Sequence, residues 1–327
     1  MINSLSGIAN TILKSNKFLI FPHVNMDADS LGSSTALCLA LRKLGKEAYV
    51  CIDDKIPDNL DFLDCGCVTF NQEVFDSVDI CIQIDSCGLK RIEGREQAWN
   101  KGNKKICIDH HPFIEEEISN YMLYRTEPKT AASGEIIYKL INLMNVEIDL
   151  DIANCIFAAI TTDTGNFQHS NTTSETHLIM SEIHRIQGFD AKAISALIYD
   201  RKTPESIMLQ SKVLENLKFY YDGQIVIGDV SIDLLQECGC RLEDAEGLVQ
   251  RLMSIKNVEA GCLIKEYDDK FRASLRGKFY ANVASVAENF GGGGHKKAAG
   301  CTFNKSEYPD GIDEIYKKIS LELSKII

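Results

Sequence analysis

What most limits the folds open to this chain is a series of short, β-rich apolar runs in its first third, separated by helical or loop sequence. Lys17–Pro22, Glu47–Ile52, Val78–Ile84 and Lys104–Ile108 are dominated by branched, aromatic and cysteine side chains. A strand with one wet face alternates apolar and polar residues, whereas a strand buried on both faces does not. Between the runs lie a helical opening from about Ile2 to Lys14 and a helix pattern from Ser30 to Leu44. The alternation predicts an α/β domain built on a mostly parallel sheet with helices on both faces. In such sheets ligands bind beyond the carboxyl ends of the strands, and His23, Asp85 and Asp109 all fall there.

Thr130–Met144 and Asp149–Thr161 carry apolar residues at three- and four-residue spacing and read as helices, the second delivering Asp163 at its end. The first domain is therefore expected over residues 1–188. Ala191–Tyr199 and Pro204–Phe219 read as further helices, in a helical connector over residues 189–222. A smaller α/β domain follows over residues 223–327. It holds Ile225–Val230, strands Val258–Tyr267 and Phe271–Arg276, a helix Val283–Asn289 and the run Gly291–His295.

With 327 residues and 45% apolar content, the chain can build two real cores. No run approaches the length of a membrane span, and the opening residues lack the layout of a signal peptide, so a soluble, cytoplasmic protein without a membrane partner is expected. Most of the 12 cysteines sit inside apolar runs, where a thiol acts as a small hydrophobe. Cys65/Cys67 and Cys238/Cys240 have no zinc-ribbon spacing and read as structural. The net charge of −12 argues against long nucleic acid as a partner. A phosphate-bearing substrate is therefore expected to be small.

Asp27 and Asp29 lie two residues apart just after His23. In an extended or turn conformation their carboxylates project together, a donor set that suits Mn²⁺ or Mg²⁺ better than zinc. An Asx-turn with an N-cap would use the same residues. The following Gly32-Ser33 is read as the opening of a helix whose N–H groups favour an anion. Asp109-His110-His111 closes an apolar strand with a cluster that is costly unless something binds it. Asp85 and Asp163 are commonplace singly and gain weight from their company, with Thr161, Thr162 and Thr164 expected to hold the Asp163 carboxylate. In the last third, Arg272, Ser274 and Arg276 share one strand face. The bare backbone of Gly292, Gly293 and Gly294 before His295 can approach a phosphate.

Taken together, these motifs resemble the DHH phosphoesterase family, named for a run seen here as Asp109-His110-His111. The branch matched is the one with the DHH-associated C-terminal domain, through Gly291–His295. Within the family the chain is most similar to the nanoRNases, which degrade short oligoribonucleotides to nucleoside monophosphates and dephosphorylate 3′-phosphoadenosine 5′-phosphate (pAp) to AMP. The resemblance implies two Mn²⁺ ions, with Mg²⁺ or Co²⁺ as substitutes. His23, Asp27 and Asp85 would bind one ion; Asp29, Asp85, His110 and Asp163 would bind the other, with Asp85 bridging. It also implies that His111 meets the scissile phosphate and that Asp109 orients the histidines. Arg272, Ser274, Arg276, Gly292–Gly294 and His295 would grip the rest of the nucleotide. Short RNA and pAp would be the substrates, and a homodimer is a further expectation. Met26 departs from the family pattern, where proline commonly precedes the first aspartate. A cyclic or linear dinucleotide phosphodiesterase would use the same groups, and a nucleotide-binding sensor without turnover is the alternative outside catalysis.

Overall fold

A computed structural model defines the fold and describes residues 3–53, 55–69, 77–112 and 115–327. Ile2, where the opening helix was expected to begin, lies outside them. The chain divides into two compact units, Met1–Arg201 and Lys202–Ile327.

In the first unit, α1 (Leu5–Leu13) begins at Ser4, whose hydroxyl accepts the Gly7 N–H at 3.1 Å. Strand β1 (Lys17–Phe21), helix α2 (Ala28–Lys43) and strands β2 (Glu47–Cys51), β3 (Val68–Thr69) and β4 (Val78–Ile84) follow. Next come α3 (Glu96–Asn100), β5 (Gly102–Asp109), β6 (Leu123–Thr126), α4 (Ser133–Leu143), α5 (Leu150–Asp163), α6 (Ser174–Ile183) and α7 (Ala191–Tyr199). The six strands form one parallel sheet in the order β3-β2-β1-β4-β5-β6. The order reverses between β1 and β4, which opens a crevice at their carboxyl ends.

Both faces of this sheet are covered, which is why its strands read as unbroken apolar runs. Phe18, Ile20, Ile80, Ile82, Ile84, Ile106 and Ile108 pack with α1, α2, α4 and α5. Leu19, Phe21, Cys81 and Cys107 point the other way, into a smaller core with Ile92, Trp99 and Tyr121. Helices α2, α4 and α5 are pressed together because two glycines permit it. A Cβ on Gly32 would lie 2.7 Å from the Cys155 carbonyl oxygen, and one on Gly134 the same distance from the Ala159 Cβ. This close packing draws the starts of α2 and α4 and the end of α5 towards one point.

The second unit holds α8 (Pro204–Glu215), β7 (Lys218–Tyr220), β8 (Ile225–Val230), α9 (Ile232–Cys238), α10 (Leu248–Met253) and β9 (Ala260–Glu266). It continues through β10 (Lys270–Gly277), α11 (Val283–Glu288), β11 (Gly293–His295), β12 (Ala298–Asn304) and α12 (Ile312–Ser324). Its sheet runs β11-β12-β10-β9-β8-β7, antiparallel except for the β8–β9 pair. One face, with Ile227, Ile264, Ala273 and Leu275, packs on side chains of α11 and α12. On the other, Val226, Val230 and Leu263 meet α8, α9 and α10 through Leu209, Val213, Leu235 and Leu252.

Two local expectations change. The helix expected over 204–219 stops at Glu215 and Lys218–Tyr220 becomes an edge strand. The Asn216 side chain donates to the Lys212 carbonyl at 2.9 Å, occupying an acceptor of the last turn. The stretch expected as a connector is divided between the units. Ile194 and Ile198 of α7 join the first core, and Leu209 and Val213 of α8 join the second. All twelve cysteines are free thiols and ten are buried, as packing residues would be. Among the described residues, no helix is long and apolar enough to cross a membrane.

Candidate metal-binding active site

The carboxyl ends of β1, β4 and β5 converge with the start of α2 and the last residue of α5. His23 lies just beyond β1, its N–H donating to Ser30 Oγ at 2.9 Å. Its Nδ1 stands 2.8 Å from the Val24 carbonyl, which can only accept. Nδ1 therefore carries a proton, and Nε2 is the ring nitrogen that faces the site. Asn25, at φ +55°, turns the chain back so that Asp27 caps α2, its Oδ1 accepting the Ser30 N–H at 2.9 Å. The capping role and the site role coexist, because Asp27 Oδ2 faces His23 Nε2 at 3.6 Å.

Asp85 is the centre of the arrangement. It follows β4, is 2% exposed, and adopts φ +63°, a left-handed conformation uncommon outside glycine and asparagine. That backbone turn places Oδ2 3.6 Å from His23 Nε2 and Oδ1 3.4 Å from His110 Nε2. His110 Nε2 also lies 3.2 Å from Asp163 Oδ2 and 3.9 Å from Asp29 Oδ2. Most of these separations are longer than a hydrogen bond. They suit donors facing a common ion, and among the described residues three groups could hold one: His23, Asp27 and Asp85; Asp29, His110 and Asp163; and Asp85, His110 and His111.

The electrostatics point the same way. Burial pushes the Asp85 carboxyl well above the usual carboxylate range, and the charges of Asp29, Asp27, Asp163 and Asp109 push further. Asp163 is raised by burial and then by Asp29, Asp27 and Asp109. Without a cation the cluster is held against its own charge, and oxygen and imidazole donors fit a divalent ion of the Mn²⁺ or Mg²⁺ kind. His111 is more exposed. Its Nδ1 lies 2.7 Å from Asp109 Oδ1, the same oxygen that accepts the His111 N–H at 3.0 Å. Burial opposes its protonation, but the hydrogen bond and charge of Asp109 prevail and hold its pKa above the ordinary histidine value.

Sequence reasoning missed the supports of Asp29 and Asp85. The Ser133 and Gly134 N–H groups, at the open start of α4, donate to Asp29 at 2.7 and 2.9 Å, and Ser33 Oγ donates at 2.8 Å. Three of the four acceptor positions of that carboxylate are thus filled, leaving one for an ion. Ser133 Oγ donates to Asp85 Oδ1 at 2.9 Å. The run Ala131-Ala-Ser-Gly134, small residues opening a helix, was the available signal.

Two expectations are corrected. Gly32-Ser33 does not open a helix, because α2 begins at Ala28; Gly32 instead allows α5 to approach, and Ser33 braces Asp29. The threonines around Asp163 do not hold its carboxylate. Thr162 and Thr164 donate to backbone carbonyls of α5, while Asn171 fixes the Asp163 main-chain carbonyl at 3.1 Å.

In the second unit Arg272, Ser274 and Arg276 alternate with the buried Phe271, Ala273 and Leu275 and so share the other face of β10. Their partners on β12 are Thr302, Gly300 and Ala298, and of these Gly300 and Ala298 pair in turn with Gly293 and His295 of β11. The result is a floor of small residues walled by two guanidiniums and an imidazole. A Cβ on Gly294, at φ +139°, would lie 2.6 Å from the Ala298 carbonyl oxygen, so the hairpin requires glycine there. Burial pulls the Arg276 guanidinium below its ordinary pKa. This face belongs to the second unit and the carboxylate cluster to the first.

A sheet crevice lined by buried acids and imidazoles that could hold a metal ion, with a cationic, glycine-floored face in the second unit, is the layout of a phosphoesterase. The DHH family N-terminal domain matches residues 17–160 and the DHHA1 domain matches residues 229–325; the chain belongs to the DHH phosphoesterase family. It is 28% identical to the bifunctional oligoribonuclease and PAP phosphatase NrnA of Thermus thermophilus, over 94% of this chain and 90% of that one. The protein of the same name from Bacillus subtilis is 25% identical, over 93% and 95%. The crystal structure of an exopolyphosphatase-related protein from Bacteroides fragilis, 26% identical, superposes with a TM-score of 0.88 over 98% of this chain and 95% of that one.

Proposed function

We propose that this protein is a divalent-metal-dependent phosphoesterase that cleaves short oligoribonucleotides to nucleoside monophosphates and converts pAp to AMP. The observation that carries this reading is Asp85, held in a left-handed turn between two imidazoles with four carboxylates acting on its charge. The relatives named for the two activities, which align over more than nine-tenths of the chain, support the choice of substrates.

In this reading His23, Asp27 and Asp85 would hold one Mn²⁺ ion, and Asp29, Asp85, His110 and Asp163 a second. Such ions supply an activated water and offset the charge that builds on phosphorus during in-line attack. Ser133 keeps Asp85 and Asp29 in place through its hydroxyl and its N–H, so neither carboxylate must reorganise when substrate arrives. Asp109 fixes the His111 ring, which then meets a non-bridging oxygen of the scissile phosphate through Nε2. Arg272, Ser274, Arg276, the Gly292–Gly294 backbone and His295 take the remaining phosphate and sugar, with guanidinium forks matched to phosphate. A terminal phosphate in place of a diester then converts the nuclease reaction into the pAp reaction at the same residues.

Incubation with Mn²⁺ and diadenylate, pentaadenylate, pAp or cyclic diadenylate, with AMP followed by chromatography, tests this. AMP from the linear RNAs and from pAp is expected. Turnover of the cyclic dinucleotide alone would make it a cyclic dinucleotide phosphodiesterase, and nucleotide binding without turnover would make it a sensor.

A further inference from the structure

At one end of the C-terminal sheet the register brings together the last residues of β10 and β11 and the first of β8, β9 and β12, with Gly277 beside Ala260, and Ala298 beside both Arg276 and His295. The residues there are rich in cations, Lys256, Arg276, Lys278, Lys296 and Lys297, with the imidazole of His295 among them. Beside them is an aromatic side chain that packing does not explain. Phe279 is 78% exposed, although its backbone lies in a turn held by several hydrogen bonds. The buried carboxylate of Glu259 accepts the N–H groups of Phe279, Tyr280 and Ala281 at 2.9, 2.6 and 2.7 Å. The Lys278 N–H donates to the Glu259 carbonyl at 2.8 Å, and the Tyr280 hydroxyl to Gln224 at 3.0 Å.

The same turn is tied to the β11–β12 hairpin. The Gly277 N–H donates to the Lys297 carbonyl at 3.0 Å and the Val283 N–H to the Lys296 carbonyl at 2.9 Å, while Lys297 Nζ reaches the Ala281 carbonyl at 3.1 Å. All three N–H groups of the turn meet the same oxygen of Glu259, Oε1. The Lys278 ammonium sits 5.9 Å from the Phe279 ring centroid. An exposed ring on a hydrogen-bonded turn beside cations is what single-stranded nucleic acid binds: the base stacks on the ring while its phosphate meets the charges.

We propose that Phe279 is a stacking platform for a nucleobase of the oligoribonucleotide, the phosphate next to that base being held by the Arg276, His295 and Lys296 side of the same edge. The second unit then recognises base and phosphate together and not phosphate alone. This rests on the oligoribonucleotide reading of the function, and the test separates the two.

The test is binding of fluorescently labelled triadenylate to the full chain without added metal, where turnover cannot interfere. Phe279→Ala is expected to raise Kd by roughly tenfold or more, within the range seen when a stacking ring is removed. Phe279→Trp retains affinity, and Phe279→Leu, apolar but flat-faced no longer, binds as weakly as alanine. Phe279→Trp also adds an exposed indole to a chain whose single tryptophan, Trp99, is buried; its emission should be quenched by triadenylate and not by inorganic pyrophosphate. Wild-type affinity in Phe279→Ala, or full affinity in Phe279→Leu, overturns stacking. If triadenylate binds with this pattern but is never cleaved, stacking stands and the proposed reaction falls. Cleavage with an unaltered KM in Phe279→Ala leaves the reaction and removes the platform, and a wild-type chain that neither binds nor cleaves triadenylate removes both.

Discussion

At the carboxyl edge of the N-terminal sheet five aspartates and three histidines crowd together, and at one end of the C-terminal sheet an arginine and several lysines gather around small residues. The chain as a whole reflects the contrast: residues 1–201 hold 18 Lys and Arg against 28 Asp and Glu, residues 202–327 hold 17 against 19. The two regions also differ in how they are stabilised. The acidic cluster is buried and raises the pKa of its own central members, so the fold alone does not satisfy it. The basic edge is closed by backbone hydrogen bonds and an anchoring glutamate and is complete without a ligand. In the proposed function the first would hold cations that in turn attract a phosphate, and the second would meet an anion directly.

The largest effect that could break this comparison comes from Asp85→Asn. Asparagine tolerates the left-handed backbone, so the fold should persist while kcat drops roughly a thousand-fold, about 4 kcal/mol of barrier. Retained activity in the folded variant would end the central role of Asp85. Removing and restoring metal should act on one unit only. At a hundred times Kd, Mn²⁺ should stabilise by about 2.7 kcal/mol, a rise of roughly 5–10 °C in melting for a unit the size of Met1–Arg201. Calorimetry should show the transition of the second unit unmoved, and equal shifts in both would contradict the contrast.

Ser133→Ala, which removes the hydroxyl from Asp85 but leaves the N–H on Asp29, should weaken metal affinity by about ten- to a hundredfold, as read by Mn²⁺ titration. Arg276→Ala should raise KM for short RNA about tenfold with kcat nearly constant, and Arg276→Lys should not restore it, because a point charge lacks the guanidinium fork. The smallest effect belongs to Thr162→Val. Its hydroxyl serves only backbone carbonyls of α5, so activity should change less than about twofold; a large loss would mean that the threonines reach the site after all.

Much of the first region could be read from the chain because strand ends are local. A run such as Val78–Ile84 that stops at an aspartate places that aspartate at a sheet edge once the sheet is parallel. The bracing of Asp29 by Ser133 and Gly134 joins residues more than a hundred positions apart, and no pattern in either segment announces the partner. The short strands Val68–Thr69 and Leu123–Thr126 are too brief to show a period. The helix Ser174–Ile183 hides its few apolar residues among polar ones. In the second region, Arg272, Ser274 and Arg276 were visible through the two-residue period of a strand. Phe279 was not, because its meaning comes from exposure on a rigid turn, and rigidity there depends on Glu259, twenty residues earlier.

The central claim is that the acidic cluster is a cation site centred on Asp85. Anomalous diffraction at the manganese edge, from crystals grown with Mn²⁺, measures it most directly. Two peaks per chain are predicted, one among His23, Asp27 and Asp85 and one among Asp29, Asp85, His110 and Asp163. No peak within ligand distance of Asp85, with ordered side chains around it, would contradict the account.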